Sequence, residues 1–521
     1  MTGSGARRKR STPVRLSLAA GALVTILAPP AGAVTGGHSV PDGFTVLSTT
    51  EASPGVVHSR LARQDPPLVV NVARVAPEAP VSLRAVLSNE TVAGEGARLE
   101  RTSSMCARVG CILGVNGDFA DVDSSVPLGG LVTDGRMLRS PSDKHHQLSI
   151  GKDGELSTGG IDWSGKLVPT DLQPIAIDGV NAAGGDDLIV LYTAAYGPAV
   201  DGAGGVGVLV RTVEPAGPLR LGQTTMVDLV AMGEDQPAIP IGEPGAGVLV
   251  GYGEHAQKLR DLWARVQAGG AGSRALLRLE TASAVTESVG GSPILVRDGR
   301  RWFADVDDNF TQGRHPRTVV GWTSAGEVLL VTVDGRQPEH SVGMTLAEAT
   351  EFMLELGVVE AINLDGGGST TFVTRGTVAN QPSDVAVKEG GQQVIRHAAQ
   401  RGERVVGHVE RPVASALMVV PANTVQAAAV DPLAGPSIDL PQALAVGSLA
   451  PAADPGSVPD GGLPALVTEE GPDLTNTFRV AAVAANVAAA VGLGAVFSRH
   501  RRAGSRTSSR AGLRLMSHLP A

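Results

Sequence analysis

Aromatic residues are scarce in this chain, with 8 Phe, 4 Trp and 3 Tyr among 521 residues. Val, Leu, Ile and Ala must therefore supply most of any core. Cysteine is nearly absent too: Cys106 and Cys111 stand alone. Two sulfurs exclude a disulfide scaffold, and without a nearby His pair they exclude a zinc site. Their spacing points them to different sides of a helix, so a bridge between them needs an irregular segment. They read as buried thiols, or as a local disulfide in an oxidising compartment. No Gly-Lys-Ser/Thr follows the glycine-rich run near residue 366, which excludes a P-loop. A basic excess is also missing. The net charge is −9, and the basic residues at the two ends leave the middle more acidic still, which argues against nucleic acid as a partner.

The ends carry their own signals. Arg7, Arg8, Lys9, Arg10 and Arg15, then the apolar run from Leu16 to Leu27, then Ala31-Gly32-Ala33 read as a secretory signal over residues 1–33. Val480 to Phe497 is an apolar stretch about 27 Å long as a helix, enough for a bilayer core. Arg499, Arg501, Arg502, Arg506, Arg510 and Arg514 follow it without an acid. This pattern predicts a single membrane span at 480–497 and a cytoplasmic tail at 498–521, with the bulk of the chain extracytoplasmic. Residues 431–477, rich in Pro, Ala, Gly and Asp, read as a stalk.

The body, about 50–420, is long enough for a sizeable core and reads as a single main ectodomain. Short β-like runs dominate it, among them Leu68–Val75, Thr318–Trp322, Val328–Val333 and Val358–Leu364. Asp134-Gly135, Asp298-Gly299 and Asp334-Gly335 punctuate them as turn signals. One helix is well specified: Thr345 and Glu348 form a capping box, Leu346, Ala349, Thr350, Met353 and Leu354 line a face, and Gly357 ends it. The expected class is α+β, a large mixed β-sheet with few packed helices.

That helix leads into Leu364-Asp365-Gly366-Gly367-Gly368-Ser369. A strand ending in a carboxylate beside three glycines lets main chain approach an anion and places an acid, base or nucleophile at its edge. By itself it is equally a tight hairpin with a solvated Asp. Four further segments have chemical character. Asn116-Gly117-Asp118-Phe119 offers an amide and a carboxylate, or a type I′ turn. Glu287 to Pro293 approaches a strand through Gly290 and Gly291. Arg314-His315-Pro316-Arg317 places His315 and Arg317 toward a common face, where arginine suits a phosphate diester. Val333-Asp334-Gly335-Arg336 is a turn able to present a second arginine. Asp305, Asp307 and Asn309, and Asp121, Asp123 and Ser125, alternate oxygens as calcium ligands do but lack an EF-hand's glycine and terminal glutamate. No cofactor is expected, and calcium is the one weak alternative.

In order, these segments resemble the phosphodiester glycosidase family, which includes bacterial exported members. The resemblance covers about 100–420 and includes Gly129-Gly130 to Gly135, Gly290 to Val296, His315 to Thr318, the Asp365 run, and Asn380-Gln381-Pro382-Ser383-Asp384. Ala120 stands where relatives often have a second aromatic, and the segment between Ser383 and Glu410 is longer than the pattern implies. Both bear on substrate choice. The resemblance implies hydrolysis of a sugar-1-phosphodiester at its glycosidic bond, with a phosphorylated glycan as partner. It implies Asp365 as nucleophile or base, Asp118 or Glu287 as the second carboxylate, and His315 as proton donor or orienter. Arg317 and Arg336 would hold the phosphate, Asn116 would bind substrate, and Gly366, Gly367, Gly368 and Ser369 would add donors. Two rivals use the same residues: a non-catalytic module binding phosphorylated cell-envelope glycopolymers, and an exopolysaccharide-processing phosphodiesterase.

Overall fold

In the computed structural model the described residues are 40–93, 99–121, 123–142, 145–170, 172–185, 187–268, 273–400 and 402–422. The signal, stalk, span and tail expectations fall outside them. Among the described residues no helix is long and apolar enough to cross a membrane.

Strands dominate and helices are few, as an α+β reading requires. An eight-stranded sheet runs in the order Thr45–Ser53, Val56–Arg63, Leu68–Val75, Val328–Val333, Arg317–Thr323, Val358–Asn363, Ile294–Arg297, Arg300–Arg301. Every neighbouring pair in it is antiparallel. Its central strands are apolar on both sides because both faces are covered. Val328 and Leu330 enter one core with Leu113, Val115, Leu417 and Phe372. Leu329, Val331 and Val333 enter another with Leu346, Ala349, Phe352 and Met353 of the helix Leu346–Glu355. Period-two alternation thus sends successive side chains to different layers.

The helix is capped as its sequence demands. Thr345 accepts from the Glu348 N–H at 3.1 Å, and Glu348 accepts in return from the Thr345 N–H at 3.0 Å. On the opposite face lies a five-stranded sheet ordered Thr377–Val378, Phe372–Thr374, Leu113–Asn116, Ser415–Pro421, Val81–Leu87. The helix Thr102–Val109 ends at left-handed Gly110, φ 67°. That break supplies the irregular segment the cysteines need, and Cys106 is bridged to Cys111 with Cα atoms 4.8 Å apart. The alternative of two free thiols is set aside.

Between Leu156–Gly159 and Val285–Gly291 the chain leaves this framework and builds a second eight-stranded sheet. Ala256, Leu259 and Leu262 of the helix Gly253–Gln267 pack into its own core. The long strand Ala199–Glu214 in it is glycine-rich at its start. Within this sheet the short strand Gly179–Val180 runs parallel to Ile189–Thr193. Finally, Val385–Glu389, Gln392–Arg396 and Val405–His408 form a small antiparallel sheet.

Candidate active site

The site forms where the loop after Leu113–Asn116 meets the loop after Val358–Asn363. Asn116 is fully buried and stitches them together. Its Nδ2 donates to the Asp365 carbonyl at 2.6 Å, and its Oδ1 accepts from Thr318 Oγ1 at 2.7 Å and the Thr371 N–H at 3.1 Å. The Asp365 N–H donates to the Gly117 carbonyl at 2.9 Å. The expected Asn-Gly hairpin is therefore absent. Gly117 instead lies flat on Ser415, where a Cβ would come within 2.6 Å of Ser415 Oγ. Through both its side-chain polar atoms Asn116 thus holds the two loops together.

Asp118 follows and is buried. Its Oδ2 accepts from the Gly129 N–H at 2.6 Å, and its Oδ1 lies 2.6 Å from His145 Nε2. Phe119 meets the His145 ring edge-on at 5.9 Å. Gly290 presses against the same carboxylate, leaving no room for a Cβ. The glycine of the Gly290-Gly291 pair is thus a packing requirement of Asp118.

Asp365 keeps partial access to solvent, while its carboxylate is desolvated. That burial raises its pKa to about 6 against the hydrogen bond from Ser369, the charge of Arg411 and the Gly366 N–H, and the Asp118 carboxylate adds to the rise. Two carboxylates thus sense each other across the joined loops.

Each glycine of the triplet makes room for a neighbour. A Cβ on Gly366 would stand 2.8 Å from the Pro316 carbonyl oxygen; one on Gly367, which is left-handed at φ 62°, would stand 2.9 Å from Arg336 Nη2. One on Gly368 would occupy the place of the Arg411 guanidinium. The Gly366 N–H donates to Asp365 Oδ1 at 2.8 Å and the Gly367 N–H to the Pro316 carbonyl at 3.0 Å. These two amides are occupied, so the loop does not present them to an anion, contrary to the sequence expectation. What the loop seats is two cations.

Arg411 is one of them. It grips Asp384 with two bonds of 2.8 and 2.9 Å, and its charge and that of Asp365 interact. Arg336 adopts a left-handed backbone, φ 59°, and its Nη2 lies 3.5 Å from His315 Nδ1. Burial, with the Arg411 charge beside it, holds the Arg336 pKa below the usual arginine range. His315 Nε2 donates to the Asn309 carbonyl at 2.9 Å, leaving Nδ1 to face Arg336. Burial lowers the His315 pKa, and the two ring nitrogens have Asn309 and Arg336 as partners. The turn carrying Arg336 is anchored by buried Asp334, which accepts from His340, Asn380 and the Gln381 N–H at 2.9 to 3.3 Å.

Two expected residues are not brought in. Arg317 is among the largest fully buried side chains and donates to three carbonyls: Met344 at 2.9 Å, Phe310 at 2.7 Å and Gly313 at 3.0 Å. Burial, then the Arg336 charge, lowers its pKa to about 10. Alternation explains the outcome. Thr318 faces Asn116, so Arg317 faces the helix layer and clamps the preceding loop. Glu287 accepts from the N–H groups of Ala85 at 2.9 Å and Asp134 at 2.8 Å, and burial raises its pKa to about 8. Gly290 presents its Cβ side to Asp118, and Glu287, three residues earlier on that strand, points to the other face. Glu287 thus faces away from Asp118, and Asp118 is the carboxylate whose charge bears on Asp365.

His145, Thr318, Asp384 and Arg411 are the functional-site residues that sequence reasoning left without roles. Each is a lone polar residue, and the signals in sequence were that Thr318 and Asp384 each fall at the end of a segment resembling the family. Two of the residues weighed for calcium have local partners. Asp121 Oδ1 accepts from the Asp123 and Ser124 N–H groups and from Ser124 Oγ, and Asp305 is paired with Arg301. A cleft of about 120 Å³ lined by Arg84, Arg136, Leu138 and Leu219 contains none of the Asp365 cluster, so chemistry rather than volume marks the site.

Comparison with known proteins points to the same region. Residues 257–420 match the model of the phosphodiester glycosidase family. The match takes in Asp365, Arg336, Asp384 and Arg411. Bovine N-acetylglucosamine-1-phosphodiester alpha-N-acetylglucosaminidase is 52% identical over 68 residues, 13% of this chain and 12% of that protein. The human protein of the same name is 48% identical over 68 residues, 13% of each chain. The chain thus spans about an eighth of the length of the curated relatives it matches. Relatives of this family are glycosidase-type hydrolases. A hypothetical protein from Synechocystis shares the fold, with TM-score 0.52 and 18% identity over 72% of this chain and 63% of that one.

Proposed function

We propose that this protein is an exported hydrolase that cleaves the glycosidic bond of a sugar-1-phosphodiester, releasing free sugar and leaving a phosphomonoester on the acceptor. N-acetylglucosamine is the first sugar to test, since the matched relatives carry it in their names. The observation that carries this reading is one cluster: a desolvated Asp365 whose charge is felt with those of Asp118, Arg411 and Arg336, and two guanidinium groups seated against the glycines that follow it. The phosphate is a tolerable leaving group, so the work lies in stabilising an oxocarbenium-like transition state and the departing anion. Arg336 and Arg411 hold the phosphate, in place of the occupied Arg317. Asp365 is nucleophile or base, and Asp118, oriented by His145 and Gly129, is the second carboxylate. The Cys106–Cys111 bridge supports an oxidising, extracytoplasmic setting. Anchoring through residues 480–497 belongs to the same reading.

The test is turnover of a sugar-1-phosphodiester with product analysis. Free reducing sugar is expected, and Asp365→Asn should lower kcat by about 10²–10⁴-fold. Sugar-1-phosphate as product would mean cleavage on the phosphate side, and undiminished turnover by the Asn variant would remove Asp365 from the mechanism.

A further inference from the structure

The segment between Ser383 and Glu410 is the three-stranded sheet, and its two roots are Asp384 and Arg411, the ion pair beside Gly368. Val385 pairs with Arg396, so His397, one step further, stands opposite Asp384. Its Nδ1 lies 2.7 Å from Arg411 Nη2 and 3.5 Å from Asp384 Oδ1, while half of the side chain, 51%, stays open to solvent. Arg411 has only protons to give, so in this arrangement His397 Nδ1 must be the unprotonated nitrogen. A proton there ends that bond, sets two cations against each other, and turns the ring to the carboxylate Arg411 now grips. The charged groups facing the ring are Asp384 and Arg411, with Arg336 beyond Arg411. Arg396, next on the strand, is held by Glu389 and Glu403.

The geometry points to His397 as a positioning residue that shares Arg411 between Asp384 and the phosphate of the substrate. The neutral ring keeps Arg411 on Asp384; the protonated ring takes over Asp384 and releases the guanidinium to an incoming phosphodiester. This rests on the phosphate role of Arg411 proposed above. It makes the longer Ser383–Glu410 segment a control on substrate binding rather than a spacer.

The probe is diethyl phosphate, whose single charge is constant, and the readout is calorimetric binding to the full chain between about pH 5 and 8. The background is Asp365→Asn, so that the catalytic carboxylate cannot titrate. Binding should tighten several-fold from about pH 8 to about pH 5, and adding His397→Gln, which keeps a neutral acceptor for Arg411, should flatten the profile. An undiminished slope in the double variant overturns the role of His397 and leaves the phosphate site standing. No binding at any pH in either protein overturns the phosphate site itself, and this role with it.

Discussion

Gly366, Gly367 and Gly368 each vacate the space that another group fills: the Pro316 carbonyl, Arg336 and Arg411. Their value at the residue scale is steric, and it is unequal. A methyl group on Gly368 collides with the guanidinium that pairs with Asp384, so Gly368→Ala should displace Arg411 and raise KM for a phosphodiester by about tenfold or more, the loss of one charge-assisted contact. Steady-state kinetics on the folded variant would show it, and an unchanged KM would remove Arg411 from phosphate binding. In the proposed role Asp365 would set the acid limb of the rate. As a base or nucleophile it must be ionised, and burial places its pKa at about 6. The expected kcat/KM therefore falls about tenfold per unit as pH drops below that value, and this group imposes no loss above it. Opposite behaviour, with loss above about 6, would make Asp365 the general acid.

At the scale of elements, the strand Arg317–Thr323 serves two layers through its alternation. Thr318 turns to Asn116 and helps fix the carboxylate loops, while Arg317 turns to the helix side and gathers the carbonyls of Phe310, Gly313 and Met344. Lysine cannot satisfy that fork, because its ammonium is a single point on a flexible stem. Arg317→Lys should therefore cost about 2–3 kcal/mol of stability, with carbonyls left unpaired in a buried place. Thermal unfolding measures it. A variant of unchanged stability but weakened phosphate binding would return Arg317 to the site. The same alternation made His315 and Arg317 look like site partners in sequence. They do share a face, but it is the helix-side one, and only His315 reaches across to Arg336.

For the whole molecule, Glu287 is a buried acid between Ala85 and Asp134 whose folded pKa, about 8, lies above its ordinary 4.5. The folded state therefore holds the proton more tightly than the unfolded chain. Its contribution to stability is complete below about pH 4.5 and is lost as pH rises through about 8. At about 1.4 kcal/mol per unit the loss is a few kcal/mol at most. Glu287→Gln cannot titrate, so its melting temperature should gain on that of the wild type between about pH 5 and 8. Equal pH dependence in the two proteins would show that Glu287 titrates normally.

Local grammar was legible in the chain itself. The capping box at Thr345, the strands Leu68–Val75 and Val328–Val333, and the Asp-Gly turns at Asp134 and Asp298 all follow from neighbours a few residues apart. So did Asp365 at a strand end among glycines, and the family to which its surroundings compare. What only the tertiary structure decided is which charges meet. Asp118 lies far from Asp365 in sequence and Arg411 far from Gly368, and their meeting depends on how two sheets stack and on which face each side chain takes. Single-residue periodicity separates Arg317 from Thr318 and Glu287 from Gly290, and no local motif records which face will be the site. The partner of Asp365 is a matter of register and layer packing, and those are set by contacts across the whole fold.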